Sequence, residues 1–124
     1  MIFHSSPTTI TTAADGSATV YIGSTIRGLL IALKYSPGTL ATGADLTITG
    51  ETSGIPILTV TNAGTSDVFY YPRALANAVA DAVAESASSE FIPIIGERIQ
   101  VVVAQGGNAT TGTIEAIWMT ASPF

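Results

Sequence analysis

An all-β fold, an antiparallel β-sandwich or jelly roll, is the class this sequence predicts, and three observations predict it. Short runs rich in Val, Ile and Thr recur at near-regular spacing between clusters of Gly, Pro, Asn and Ser. The run AspLeuThrIleThrGly (45–50) alternates cleanly, with Leu46 and Ile48 on one side and Asp45, Thr47 and Thr49 on the other. Two β-branched runs near the end of the chain flank a Gly/Asn/Thr cluster (106–112), the pattern of a β-hairpin, because Gly and Asn accept the positive φ angles of a reversal.

Taken in order, residues 1–12 read as an extended N-terminal arm, and residues 13–124 as a single β-sandwich domain. The arm carries Thr and Ile in alternation at 8–12, and Pro7 keeps it out of any central ladder because proline has no N–H to donate. Asp15 and Gly16 make a turn, and 17–23 alternates as a strand. The run 26–35 is apolar on both faces and closes at SerProGly (36–38). After strand 45–50 come a connection at 52–54, a strand at 55–61 with Pro56 near its start, a turn at 62–66 and ValPheTyrTyrPro (68–72). Residues 74–88 change character: they are Ala-rich, with Leu75, Val79 and Val83 at helical spacing, and predict a short surface helix or a long loop outside the core. PheIleProIleIle (91–95) then leads through Gly96 into the closing hairpin over 98–119. There Ile99, Val101 and Val103 oppose Gln100, Val102 and Ala104, and Ile114, Ala116 and Trp118 oppose Thr113, Glu115, Ile117 and Met119. Neither face is properly polar, so cover on both sides is expected, the second from another layer or another subunit.

Composition narrows the function classes. Charged residues make up 10% of the 124, against roughly a quarter in ordinary domains. A surface that poor in charge suits a subunit packed in an assembly better than a free enzyme. Only Arg27, Lys34, Arg73 and Arg98 are positive within a net charge of −5, so there is no basic stripe and no nucleic-acid partner is expected. The absence of cysteine removes disulfides, thiolate metal sites and cysteine nucleophiles. The first residues show neither a cationic start nor an apolar core segment, and the longest apolar run, 29–33, is far too short to span a bilayer. A soluble protein with no membrane partner is expected.

Residues that could carry chemistry are few. His4 is the sole histidine, lies in the arm and reads as an incidental surface residue. Asp45, Glu51, Glu97 and Glu115 read as solvated strand and turn charges, since no spacing pairs two of them in a cleft. No phosphate loop, calcium loop or ligand cluster is visible, so no catalytic residue, cofactor or metal is expected. AsnAlaThr (108–110) matches a glycosylation sequon by chance. Phe69, Tyr70 and Tyr71 form an aromatic group able to stack on a sugar or base, although strand alternation is expected to make two of the three core or interface residues.

Three stretches resemble a known family: AspLeuThrIleThrGlyGluThrSerGly (45–54), TyrProArgAla (71–74), and GluArgIleGlnValValValAlaGlnGlyGly (97–107) followed by GlyThrIleGluAlaIleTrp (112–118). They resemble a family of small proteins encoded beside the structural genes of tailed bacteriophages, over roughly residues 17–119. The Ala-rich insertion at 74–88 departs from the family in looking helical. By analogy with virion components, the resemblance implies a β-rich capsid decoration or cement protein, displayed on the capsid surface after synthesis in the host cytoplasm. Its partners would be the major capsid protein and its own copies, in a homotrimer. A tail, neck or fibre component and a carbohydrate-binding β-sandwich are the alternatives. The candidate interface residues are Ile2, Phe3 and Ile10, as anchors of an arm that adds a strand to a neighbour, and Ile117 and Met119 on the second face of the hairpin.

Overall fold

The computed structural model describes residues 1–121, except for the side chains of 86 and 87, so the last three residues of the expected 13–124 domain lie outside it. Eight strands account for the regular structure: β1 (Ile2–Thr11), β2 (Ala18–Ser36), β3 (Asp45–Gly50), β4 (Pro56–Val60), β5 (Val68–Tyr70), β6 (Arg73–Asn77), β7 (Ala84–Ala104) and β8 (Thr111–Thr120). All pairings are antiparallel. The hydrogen-bonded order is β1-β8-β2-β7-β3-β4, with β5 added to β2 and β6 to β7. The all-β, sandwich-like class expected from the sequence is the one observed.

β2 joins the two runs read separately at 17–23 and 26–35. Its first half pairs with β7, Ala18 opposite Val103 through Leu30 opposite Ile92. Its second half pairs with β8, Leu29 opposite Met119 through Ser36 opposite Thr113. The register slips between Ile22 and Arg27, a bulge that bends the strand and turns its two halves into different layers. Gly28 makes the crossing feasible: its φ is 140°, and a Cβ there would collide with the Met119 carbonyl. One layer holds β1, β8, the second half of β2, and β5. The other holds the first half of β2, the end of β7, β3 and β4. Ile10, Leu33, Tyr35 and Ile114 from the first meet Ile22, Leu46, Ile48, Ile99, Val101 and Val103 from the second in one core.

The closing hairpin is not a hairpin. β7 and β8 lie on either side of β2 and share no ladder. The connection 105–110 instead bridges the layers, docked on the turn after β1. Gly106 donates to the Gly16 carbonyl at 2.8 Å and accepts from the Ala41 amide at 2.9 Å. Thr12 Oγ1 donates to the Gly107 carbonyl at 2.7 Å and accepts from the Thr110 amide at 2.8 Å. Only glycine fits at 106, since a Cβ would approach Thr12 Cγ2 to 2.8 Å. The grouping of residues by face within the two runs survives, because alternation is set within each strand, and the structure decides which group is core: Ile99, Val101, Val103, Ile114 and Ala116 are buried.

Two further expectations change. Residues 1–12 do not leave the domain, for β1 pairs with β8 along its whole length. Ile10 is therefore removed from the interface candidates: it is 0% exposed and sits in the core. Residues 74–88 form no helix but a ribbon in which Arg73 faces Phe91 and Leu75 faces Ser89. Leu75, Val79 and Val83, the helical stripe, are all exposed. A short helix draws most of its stability from packing an apolar face, and this one has nothing to pack on, whereas β7 already offers β6 an extended edge. The expected position outside the core holds.

The division between core and ribbon gives a contrast in mutational cost. Ile48→Ala should destabilise the protein by about 2–5 kcal/mol, because the cavity cannot collapse between two layers. Leu75→Ala should change the stability of the isolated chain by less than about 0.5 kcal/mol. Urea denaturation monitored by far-UV circular dichroism measures both.

Candidate interaction surfaces

The layer β1, β8, β2, β5 presents its outer face to solvent, and register places the side chains on it. Pro7, Glu115, Lys34 and Phe69 lie in one row across the four strands. Ser5, Ile117 and Ala32, the last of them buried, occupy the next row, and Phe3, Met119 and Leu29 the one beyond. Phe69 and Tyr71, two apart on the same edge, stack with centroids 6.5 Å apart and planes 18° from parallel. They are 49% and 63% exposed, and Phe3 is 64% exposed. Tyr70 turns inward and packs against the core. The face ends in a cavity of about 300 Å³ lined by Met1, Gly28, Leu29, Met119, Thr120 and Ala121.

Four of the five sequence candidates thus lie in one region. Phe3 and Met119 are directly paired on the outer face, Ile117 is half-buried beside them, and Ile2 stands at the exposed start of β1 opposite Thr120. Leu29 and Lys34 were missed because the run 26–35 is apolar on both sides and hides which residues face out. Only the bulge decides it.

The second surface is the β6–β7 ribbon. β2 has one edge available on the β7 side, and Tyr70 occupies it opposite Leu33. β7 can accompany β2 only as far as Ile92 opposite Leu30. Residues 84–91 consequently peel away from the sheet and carry β6 with them. At the branch, the Ile31 carbonyl is met by Arg73 Nη1 at 3.0 Å, and the same guanidinium lies 4.1 Å from the Phe91 ring centroid. The far end closes through an Ala78 amide to Val83 carbonyl bond at 2.8 Å and an Asn77 Nδ2 to Ala82 carbonyl bond at 3.0 Å. The ribbon exposes Leu75, Val79 and Val83 together with the carboxylates of Asp81, Glu85 and Glu90.

Of the groups first read as incidental or solvated, His4, Asp45, Glu51 and Glu97 make defined contacts. His4 stacks on Trp118 at 5.4 Å, and its Nε2 lies 3.1 Å from Thr120 Oγ1, so it is engaged rather than incidental. Glu97 is buried, not solvated. Its Oε1 accepts the Thr52 and Ser53 amides at 2.7 and 2.9 Å, and its Oε2 accepts Ser53 Oγ at 2.7 Å. Those bonds, the Ser53 amide foremost, hold its carboxyl below the ordinary glutamate range. Glu51 forms a two-pronged pair with Arg98, whose guanidinium lies over the Tyr21 ring at 4.0 Å. Asp45 accepts the Asn62 amide at 2.9 Å. Among the described residues, no three His, Asp or Glu side chains gather in a way that could hold a metal ion, and no helix is long and apolar enough to cross a membrane. Comparison with protein-family models, curated proteins and solved structures finds no match to this chain.

Glu97 gives a pH dependence with a defined sign. A carboxyl whose folded value is lowered stabilises the fold at neutral pH, and that contribution disappears as pH falls below about 4.5 and through the folded value. Glu97→Gln should lower the melting temperature at pH 7 and flatten its decline between about pH 5 and pH 2. Thermal melts of both proteins across that range check the sign.

Proposed function

We propose that the protein is a structural subunit of a bacteriophage virion, a capsid decoration protein that bridges and stabilises neighbouring major capsid subunits. The observation that supports this reading best is the β6–β7 ribbon. Two strands alone are marginal in water, and these expose Leu75, Val79 and Val83 without a core beneath them. An assembled partner supplies that missing layer, and the charge-poor surface fits the same setting. The ribbon's Asp81, Glu85 and Glu90 would give the contact a polar rim, which fixes orientation more than it adds affinity. In this reading the ribbon replaces the N-terminal segment as the projecting arm, because β1 already spends its ladder on β8.

A carbohydrate-binding reading draws on the exposed Phe69 and Tyr71 platform, which is flat enough to stack on a sugar ring. Binding to a glycan array that is lost in Tyr71→Ala would favour it. A tail, neck or fibre position differs from decoration in copy number, on the order of hundreds per particle for decoration and tens or fewer for the others.

Cryo-electron microscopy of the virion should place the chain at many symmetry-related capsid sites with residues 73–91 buried against the shell. The triple variant Leu75→Ser, Val79→Ser, Val83→Ser should keep the melting curve of the parent and lose at least about tenfold in affinity for capsids. Undiminished capsid binding by that folded variant would remove the ribbon from the mechanism.

A further inference from the structure

The outer face of the β1, β8, β2, β5 layer sets two opposite charges side by side without joining them. Lys34 and Glu115 are directly paired across β2 and β8, yet the Lys34 ammonium lies toward the Phe69 ring, 5.6 Å from its centroid. Glu115 is half-buried and has neither an ion pair nor a hydrogen bond among the described residues. Pro7 and Phe69 flank the two charges in the same row, and Ile117 lies in the next. A half-buried carboxylate amid apolar neighbours is costly unless something pairs with it.

We propose that this face binds a second copy of the chain, about a two-fold axis that lies in the contact plane and runs along the strands between β2 and β8. The argument is charge complementarity in register. Rotation about that axis brings Lys34 opposite Glu115 of the second copy and Glu115 opposite Lys34 of the second copy, so two ion pairs form reciprocally. The same rotation sets Phe69 against Pro7 of the second copy on both sides. A three-fold contact would set two different surfaces against each other and offers no such reciprocity. This inference rests on the assembly reading and names the partner of one of its surfaces. Four strands at about 4.8 Å spacing and seven residues of β8 at about 3.3 Å per residue give a footprint of roughly 440 Å² on each copy. A pair of such faces, roughly 880 Å² in all, lies below the usual size of specific interfaces and makes a weak contact, so the dimer should dissociate in the micromolar range.

Sedimentation equilibrium on the full chain, from about 1 to about 300 µM, tests the proposal. The expected result is a reversible dimer of the 12.6 kDa chain. Lys34→Glu and Glu115→Lys, each checked for folding by circular dichroism melts, should each weaken it at least about tenfold, because like charges then face each other. The double variant K34E/E115K should recover to within about threefold of the parent, because each reversed charge meets its reversed partner. A monomer throughout the range, a trimer, or a double variant no better than the singles overturns the proposal. Capsid binding measured in parallel separates the two readings. A dimer that fails to bind capsids leaves this contact standing and removes the decoration role, and a capsid-binding monomer does the reverse.

Discussion

Everything in this fold depends on how β2 satisfies its backbone. A strand of nineteen residues has two long edges of N–H and C=O groups, and buried ones must find partners. β7 takes one edge of the first half and β8 the opposite edge of the second, overlapping at Leu29 and Leu30, where β2 is hydrogen-bonded on both sides. The bulge between Ile22 and Arg27 lets one strand serve both layers, and Gly28 allows the Met119 carbonyl to come close at the crossing. From this follow the separation of β7 from β8, the arch at 105–110 that carries the chain between layers, and the single core enclosed by strands from both.

The projecting ribbon follows from the same constraint. Once β5 has claimed the edge of β2 at 33–35, β7 upstream of Ile92 has no place beside it, and β6 becomes the partner that satisfies its backbone. Arg73 closes the gap where the two pairings diverge, by donating to the Ile31 carbonyl while its guanidinium lies against Phe91. One arginine thus serves as a hydrogen-bond donor for a junction carbonyl and as a packing surface, both of which its planar guanidinium provides. Among the described residues, the ribbon contributes no side chain to the core, and local opening should begin there.

The few charges of the chain divide by role. Glu97, Glu51 with Arg98, and Asp45 each fasten a turn or neighbouring strand to the frame, through bonds to named donors. Glu115 and the ribbon carboxylates make no hydrogen bond or ion pair within the described residues, and the Lys34 ammonium meets only the Phe69 ring. In the assembly proposed above, those groups would specify contacts, while Phe3, Phe69, Tyr71 and the ribbon's apolar residues would supply the area to be covered.

By itself the sequence determined what depends on neighbours along the chain. Alternation identified the inward residues at 45–50, and at 99–103 and 114–116 it identified which residues share a face without saying which face is core, because side-chain direction in a strand has a period of two whatever the strand pairs with. Composition alone removed cysteine chemistry and left only four basic side chains. Only the tertiary structure decided which strand lies beside which. The hairpin pattern around 106–112 was outweighed by β2, about eighty residues away, since a flexible loop adds little to the entropy of closing either arrangement. The helical spacing of Leu75, Val79 and Val83 was outweighed because no apolar surface faced it while the edge of β7 did. Ile10 moved from candidate interface to core because β8 held β1 in place along its length. The outer face became legible only through register, which sets Phe3 beside Met119 and Lys34 between Glu115 and Phe69, although these residues lie far apart in the chain.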